Sequence, residues 1–364
     1  MRDEFEVRLE SGLRLLADRA PTAPPDLLAR VRARRPRRWW KALAAFVTTG
    51  VLVGTGVIVT SPGAESVERP LLIEKAFPKA VHSVPLLMPG RRQYDVVAMI
   101  DRGHALIRTG RADLTNGLWS LDLASGRARR LVEVSTPKGT VVSFWSAAVG
   151  EGLIAWWTSR KVKGKMTTTF FTAPVTGGPQ RVVAQAPGSP LDHTISDGKI
   201  IWTRSGAGGA YEVPLSGGEP RLVAGTEGMH MVQWPWVGSP PFRQQKPAVV
   251  HGEIVDALTG ERRTASRWRP PAMCSVTWCV SRDRVGRRDG TRTRVVPEMP
   301  MIDPPALDRF LLPRSPGQGL IDLATGRTYE LRASNNPVLD YRMKTLTYVK
   351  GGRLIIVDLA AIPG

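Results

Sequence analysis

Cysteine is nearly absent from this 364-residue chain, which has two, and histidine is scarce, with five. His82, His104, His193, His230 and His251 stand singly, and no second Cys/His pair accompanies Cys274 and Cys279. A structural zinc site therefore lacks its four ligands. The chain also has no Gly-x-Ser-x-Gly elbow, phosphate-binding loop, His-Glu-x-x-His pair or EF-hand spacing. The sequence assigns no catalytic, metal-binding or cofactor-binding residue, and no cofactor is expected. Acidic residues are outnumbered, 32 against 51 Lys and Arg, for a net charge of +19. Such a chain attracts anionic partners: nucleic acid, phospholipid headgroups or anionic wall polymers.

Long uncharged runs are missing except for one. Residues 42–60 hold no charged side chain. At ~1.5 Å per residue they span a hydrocarbon core of about 30 Å as a helix. Arg30, Arg32, Arg34, Arg35, Arg37, Arg38 and Lys41 crowd one flank, with Trp39 and Trp40 at the level of an aromatic belt. The other flank, Ser61 to Glu65, has no Arg or Lys. The positive-inside rule then puts residues 1–41 in the cytoplasm and the rest outside, a single-pass topology in the cell membrane. Outside the cell, nucleic acid drops out as a partner. A cleaved signal peptide and a buried core helix are the rival readings. The first lacks a short leading segment and a small-x-small site. The second leaves the arginine flank unexplained. Gly50 and Gly54 have the spacing that lets two membrane helices approach closely.

The first 41 residues carry eleven Arg and Lys against six Asp and Glu, a net +5. Phe5, Leu9, Leu13 and Leu16 recur on a 3.6-residue period, one stripe of an amphipathic helix. The prolines at 21, 24 and 25 end it, and Asp26 caps a second short helix. Helices this short bury no core of their own. They form a solvated, topology-setting tail, lie on the inner membrane face, or dock onto a cytoplasmic protein, such as a sigma factor held at the membrane. No His-x-x-x-Cys-x-x-Cys is present to support a zinc-type anti-sigma domain.

The full chain is 42% hydrophobic, ordinary for a folded protein, and rich in turn formers. Gly (36) and Pro (30) make up about 18%, against a usual ~12%, which suits many short strands. Ala173-Pro174-Val175-Thr176-Gly177-Gly178-Pro179-Gln180-Arg181-Val182-Val183-Ala184 recurs forty residues later as Val213-Pro214-Leu215-Ser216-Gly217-Gly218-Glu219-Pro220-Arg221-Leu222-Val223-Ala224. Each copy reads as strand, tight turn, strand. Three weaker copies share an Asp-x-x-Ser/Thr-Gly turn: Asp122 to Gly126, Asp256 to Gly260 and Asp322 to Gly326. Leu153 to Trp157 and Ile200 to Trp202 read as echoed inner strands. One four-stranded unit every ~40–45 residues is the arithmetic of a propeller blade. The all-β propeller is placed at 95–364, with seven blades favoured and six as the alternative, after a linker at 61–94. A strand between Leu71 and Leu87 is expected to complete the last blade, whose own strands end near Val357. A β-sandwich or a stacked solenoid is the competing architecture.

Ser196-Asp197-Gly198-Lys199-Ile200-Ile201-Trp202, followed by Gly217-Gly218-Glu219-Pro220-Arg221-Leu222, resembles a TolB-like or PD40-type (WD40-like) propeller repeat. The basic tail, single membrane helix and lead-in Ile73 to Val81 look like membrane-anchored propellers of high-GC Gram-positive bacteria. The first turn lacks that repeat's proline. The resemblance implies a binding or scaffolding domain and carries over no functional residue.

Cys274 and Cys279 read as a disulfide in an oxidising compartment, with two buried free thiols as the alternative. Arg160, Lys161, Lys163 and Lys165 read as a loop insertion, either a solvated charged loop or a contact for anionic lipid headgroups or wall polymers. Arg284, Arg287 and Arg288, in an arginine-rich run from 282 to 294, read the same way. Asp101, Asp192, Asp283 and Asp308 would make an enzyme only if the fold gathered them at the central face. The reading reached is a membrane-tethered, extracytoplasmic binding, scaffold or sensing module whose outer ligand is a protein or an anionic polymer. A regulator holding a cytoplasmic partner through residues 1–40 is the first alternative, and an extracytoplasmic hydrolase or lyase the second.

Overall fold

Seven sheets follow one another along the chain in the computed structural model, each built on an antiparallel run of strands in sequence order, three of them joined at one edge by a segment from earlier in the chain. The structure describes residues 70–90, 92–111, 114–134, 140–143, 147–239, 248–296, 303–313, 319–335, 337–340 and 344–364. The tail stripe of Phe5, Leu9, Leu13 and Leu16 and the uncharged run 42–60 lie outside these residues. Among the described residues no helix is long and apolar enough to cross a membrane.

Blade one is Asp95–Asp101, His104–Arg111, Leu114–Asp122 and Ala128–Glu133. Blade two has an inner strand in two pieces, Thr140–Ser143 and Ala148–Gly150, then Leu153–Val162, Lys165–Pro174 and Arg181–Pro187. Blade three is Pro190–Ser196, Lys199–Arg204, Ala210–Pro214 and Arg221–Leu222. Blade four is His230–Gln233, Trp236–Ser239, Glu253–Asp256 and Arg262–Thr264. It sends Val249–Val250 across to the inner edge of blade five, parallel to Ala272–Cys274. Trp278–Ser281, Arg284–Arg287 and Arg294–Val295 complete blade five. Blade six is Phe310–Leu311, Leu320–Asp322 and Thr328–Glu330.

Blade seven closes the ring. Val338–Asp340, Thr345–Lys350 and Arg353–Asp358 supply three strands, and Val81–Pro85 adds the outer one in antiparallel register, Val81 opposite Val357. The expected closing strand is therefore present within 71–87. Just before it, Leu71–Leu72 pairs in parallel with Tyr329 and Glu330 at the outer edge of blade six. One N-terminal segment thus covers two sheet edges that would otherwise offer unpaired backbone. Inner strands of successive blades touch, Asp95–Asp101 with Ala148–Gly150 and that strand with Pro190–Ser196. Thr345–Lys350 returns against Asp95–Asp101, so the seventh sheet packs on the first.

The apolar runs Leu153 to Trp157 and Ile200 to Trp202 are second strands, one step out from the inner position the sequence suggested. A second strand is packed on both faces by the neighbouring blades, so it loses the polar-apolar alternation of a half-exposed strand. Ile154, Trp156, Ile200 and Trp202 are accordingly buried. Phe170 lies 4.4 Å from Trp202 between ring centroids, joining blades two and three.

Three Asp-x-x-Ser/Thr-Gly turns share one construction. Asp122 Oδ1 accepts from the backbone N–H groups of Ala124 and Ser125 at 3.0 and 2.7 Å, and Asp256 Oδ1 from those of Leu258 and Thr259 at 2.8 and 2.9 Å. The side chain thereby imitates a backbone turn. Each closing glycine, Gly126, Gly260 and Gly326, takes φ between 70° and 78°, where a Cβ is strained. These turns and the Gly-Gly turns lie against the preceding blade, where several arginines staple them. Arg129 Nη1 donates to the Thr176 carbonyl at 2.9 Å, Arg294 Nη1 to the Gly326 carbonyl at 3.1 Å, and Arg181 Nη2 to the Leu215 carbonyl. Part of the positive charge is therefore structural.

Candidate functional site

The hairpin carrying Arg160, Lys161, Lys163 and Lys165 is a sheet extension, where the sequence suggested a loop insertion. Ten-residue strands pair out to Val162 opposite Lys165. Lys163 and Gly164 both adopt positive φ, 48° and 79°, the geometry of the two-residue turn whose twist matches its flanking strands. The four cations therefore ride on the end of a paired hairpin, with Arg160 half-buried and the three lysines exposed.

The second basic run divides. Arg284 is exposed on its strand, 3.7 Å from Asp283. Arg287 is half-buried, its guanidinium 6.0 Å from the Trp278 ring centre. Arg288 is 5% exposed, so it is not available to a surface ligand. Its Nη1 donates to the carbonyls of His251 and Gly252 at 2.9 and 3.0 Å, and its Nη2 to that of Ser275 at 2.5 Å. Burial lowers its pKa to about 10, which leaves it charged at neutral pH. A buried arginine and a solvated one look alike in a run of arginines, which is why the sequence grouped them.

Beside Arg284 the chain forms an open groove of about 800 Å³ in blade five. Arg267 and Arg269 enter it from the segment before Pro270-Pro271, and Arg282 and Arg284 from the hairpin between the second and third strands. Trp268 anchors the wall by donating its Nε1–H to the Arg287 carbonyl at 2.9 Å. Arg267, Arg269 and Arg282 are exposed, and among the described residues none makes an ion pair. Among the described residues Asp283 is the one carboxylate lining the groove, 3.7 Å from Arg284. The sequence missed Arg267 and Arg269 because they precede the cysteine pair by several residues and join the later arginines only through the sheet.

Cys274 and Cys279 are bonded and fully buried. They lie opposite each other at the start of a hairpin, and Ser275 N–H donates to the Trp278 carbonyl in the next position at 2.7 Å. The adjacent hydrogen-bonded pair makes 274/279 a non-hydrogen-bonded pair, the position where opposed side chains come closest. Asp308 braces the same turn from blade six, accepting from the Thr277 N–H at 2.8 Å and from the Ser275 hydroxyl.

A second concavity, about 210 Å³, lies where the inner strands converge. Asp192 and His193 reach it from blade three, His230 and Trp234 from blade four, and Met273 from blade five. Leu307 of blade six and Lys344 beside blade seven complete it. His251, on the strap between blades four and five, packs onto Gly238. Burial pushes its imidazole down to about 4, against a hydrogen bond to the Gly238 backbone that raises it. Burial lowers His230 as well. The four aspartates do not converge. Asp192 lines this cavity, Asp308 serves the blade-five turn, Asp283 sits in the groove, and Asp101 accepts from the Gly103 N–H at 2.7 Å on an exposed turn. Among the described residues no group of three or more His, Cys, Asp or Glu is placed to hold a metal ion.

No protein-family model matches the chain, and no curated protein matches it. Solved structures that resemble it are oligogalacturonate lyase in complex with manganese, TolB from Acinetobacter baumannii and the WD40 domain of SCAP from fission yeast. The lyase is 12% identical, with 71% of this chain covering 75% of that one at a TM-score of 0.33. TolB is 9% identical, with 73% of this chain covering 54% of that one at 0.30. The WD40 domain is 10% identical, with 74% covering 82% at 0.36. Identities and scores this low carry no functional argument, and the assignment of a seven-bladed propeller rests on this chain's own strand order.

Proposed function

We propose that the chain is a membrane-tethered binding module whose ring lies outside the cell and takes an anionic polymer in the blade-five groove. The tether is the uncharged run 42–60, oriented by the arginines that precede it. The disulfide fits an oxidising compartment. The observation that carries the ligand class is the groove itself, where, among the described residues, three exposed arginines without ion pairs line one concavity with a single carboxylate. Arginine's planar fork suits phosphate and carboxylate groups, and a groove about 800 Å³ in volume admits several units of a chain. The lysine-bearing hairpin tip of blade two offers a separate cationic contact.

Long-chain polyphosphate is a suitable probe for the full chain in lipid nanodiscs. Binding is expected to weaken steeply with added salt, as exposed charge pairs are screened. Reversing Arg267, Arg269 and Arg282 to Glu together should weaken it at least about tenfold at low salt, mostly through slower association. The same affinity in the triple variant, or an affinity indifferent to salt, overturns the groove as the site. A loss confined to Lys161→Glu/Lys163→Glu/Lys165→Glu moves the site to blade two.

A further inference from the structure

The tip of the blade-two hairpin carries a charge that nothing in its own sheet offsets. Residues 152–191 contain no Asp or Glu, while Arg160, Lys161, Lys163 and Lys165 crowd into one short stretch of them. The three lysines are exposed, and among the described residues none of the four cations makes an ion pair. The strands on either side stop short of the tip. Among the described residues the last flanking pairs are Thr140 with Arg160 and Pro187 with Thr167. The pairs 161/166 and 162/165 therefore extend past the flanking strands.

Successive residues of a strand point to opposite faces, and directly opposed residues share one. Val162 lies opposite Lys165 on one face, and Lys161 opposite Met166 on the other. Each face of the tip thus sets one ammonium group beside one apolar side chain. Val162 is 39% exposed, and Met166 is half-buried.

That composition selects among anionic partners. A polyanion dissolved in water gains nothing from Val162 or Met166. A bilayer surface uses both parts of the tip. Its headgroups take the ammonium groups, while the apolar side chains and the lysine stems reach the acyl boundary. Lysine also differs from the arginines of the blade-five groove. It is a compact point charge without a planar fork, suited to a diffuse field of headgroups. Near an anionic bilayer each lysine strengthens attachment roughly fivefold. We infer that the hairpin tip of blade two is a peripheral contact for an anionic phospholipid bilayer. The inference rests on the tethered reading above only for a bilayer close at hand, and the groove's ligand plays no part in it.

The test mixes the full chain in neutral phosphatidylcholine nanodiscs with sucrose-loaded vesicles and sediments them. The vesicles are phosphatidylcholine alone or equal parts phosphatidylcholine and phosphatidylglycerol. Attachment to the phosphatidylglycerol vesicles is expected, and it should weaken with salt. Lys161→Glu/Lys163→Glu/Lys165→Glu should weaken it at least about tenfold. Arg267→Glu/Arg269→Glu/Arg282→Glu removes the same net charge from the groove and should change it less than about threefold. The basic tail is common to both variants, so their difference reads position rather than total charge. Val162→Ser/Met166→Ser keeps every charge and should weaken attachment roughly fivefold. A polarity-sensitive fluorophore on Val162→Cys should shift to the blue with the anionic vesicles. The same fluorophore on Ser216→Cys, at an exposed turn of blade three, should not. Equal losses in the two triple variants, full attachment in the serine variant, or a fluorophore at 162 that stays in water would overturn the inference. So would a lysine variant that loses polyphosphate but keeps the vesicles, which makes the tip a polymer contact. Failure of the groove shows separately, in polyphosphate binding by the arginine variant.

Discussion

A chain lacking residues 1–85 is expected to lose cooperative unfolding, whereas one lacking residues 1–66 keeps it. The shorter deletion ends at the boundary of the compact unit Val67–Gly364. The longer one removes the segment that closes the ring. Ile73 and Val84 are fully buried, and Ala80 nearly so. Large-to-small changes at a single buried aliphatic position cost about 2–5 kcal/mol, and here whole side chains go. Polar ties go with them. Glu74 Oε1 accepts from the Tyr348 hydroxyl at 2.8 Å and from Lys350 Nζ at 2.6 Å, and Arg353 donates to Ser83 at 2.8 and 2.7 Å. Five residues of strand pairing at Arg353–Asp358 disappear as well. Against a total stability of about 5–15 kcal/mol, that loss leaves little. Thermal denaturation followed by far- and near-UV circular dichroism reads it. Equal melting of the two deletions would show that the ring does not need its closing strand.

Asp322→Ala should cost about 3–5 kcal/mol, the usual consequence of stranding a buried charge. Asp322 is fully buried, and Arg309 approaches it in a fork, Nε at 2.9 Å and Nη2 at 2.6 Å. Arg309 also donates to the carbonyls of Ile362 and Pro363 at 3.2 and 2.8 Å, so one guanidinium joins blade six to the segment after blade seven. Burial alone would raise the Asp322 pKa. The hydrogen bonds from Arg309 and Thr325, with the arginine charge, outweigh it and hold the carboxyl below its ordinary value. The folded state therefore binds this proton less readily than the unfolded state. Its stabilising contribution is full above the unfolded carboxyl pKa of ~3.9 and fades as pH falls toward the lower folded value. Denaturant midpoints between neutral pH and about pH 2 should show a loss below about pH 4 that is smaller in Asp322→Asn. Replacing the pair by Asp322→Leu/Arg309→Met should recover much of what the single change loses, because no charge is then left alone. A single variant as stable as the parent would contradict the assignment.

The turns were the most legible part of this fold, because each carries its own chemistry. Asp122, Asp256 and Asp322 announce the outer hairpins of blades one, four and six from sequence alone, and the Gly-Gly pairs do so for blades two and three. Blade position was less legible. Trp156 and Trp202 belong to second strands, since burial on both faces, rather than distance from the axis, is what makes a run apolar. The parallel pairing of Leu71–Leu72 with blade six was invisible, because two residues carry no period. The groove gave half of itself away. Arg282 and Arg284 stood in an obvious run, while Arg267 and Arg269 are brought there by the sheet. The inner cavity gave almost nothing, since its wall is assembled from segments spread between residues 191 and 344.

Export of the ring is the claim on which the ligand class and the disulfide's role both depend. Ser216 is exposed on a turn of blade three, and the two native cysteines are bonded to each other and buried. Ser216→Cys therefore places one reactive thiol on the ring. Intact cells treated with a membrane-impermeant maleimide should label it fully. A thiol protected in intact cells and labelled only after lysis would put the ring in the cytoplasm and contradict the account.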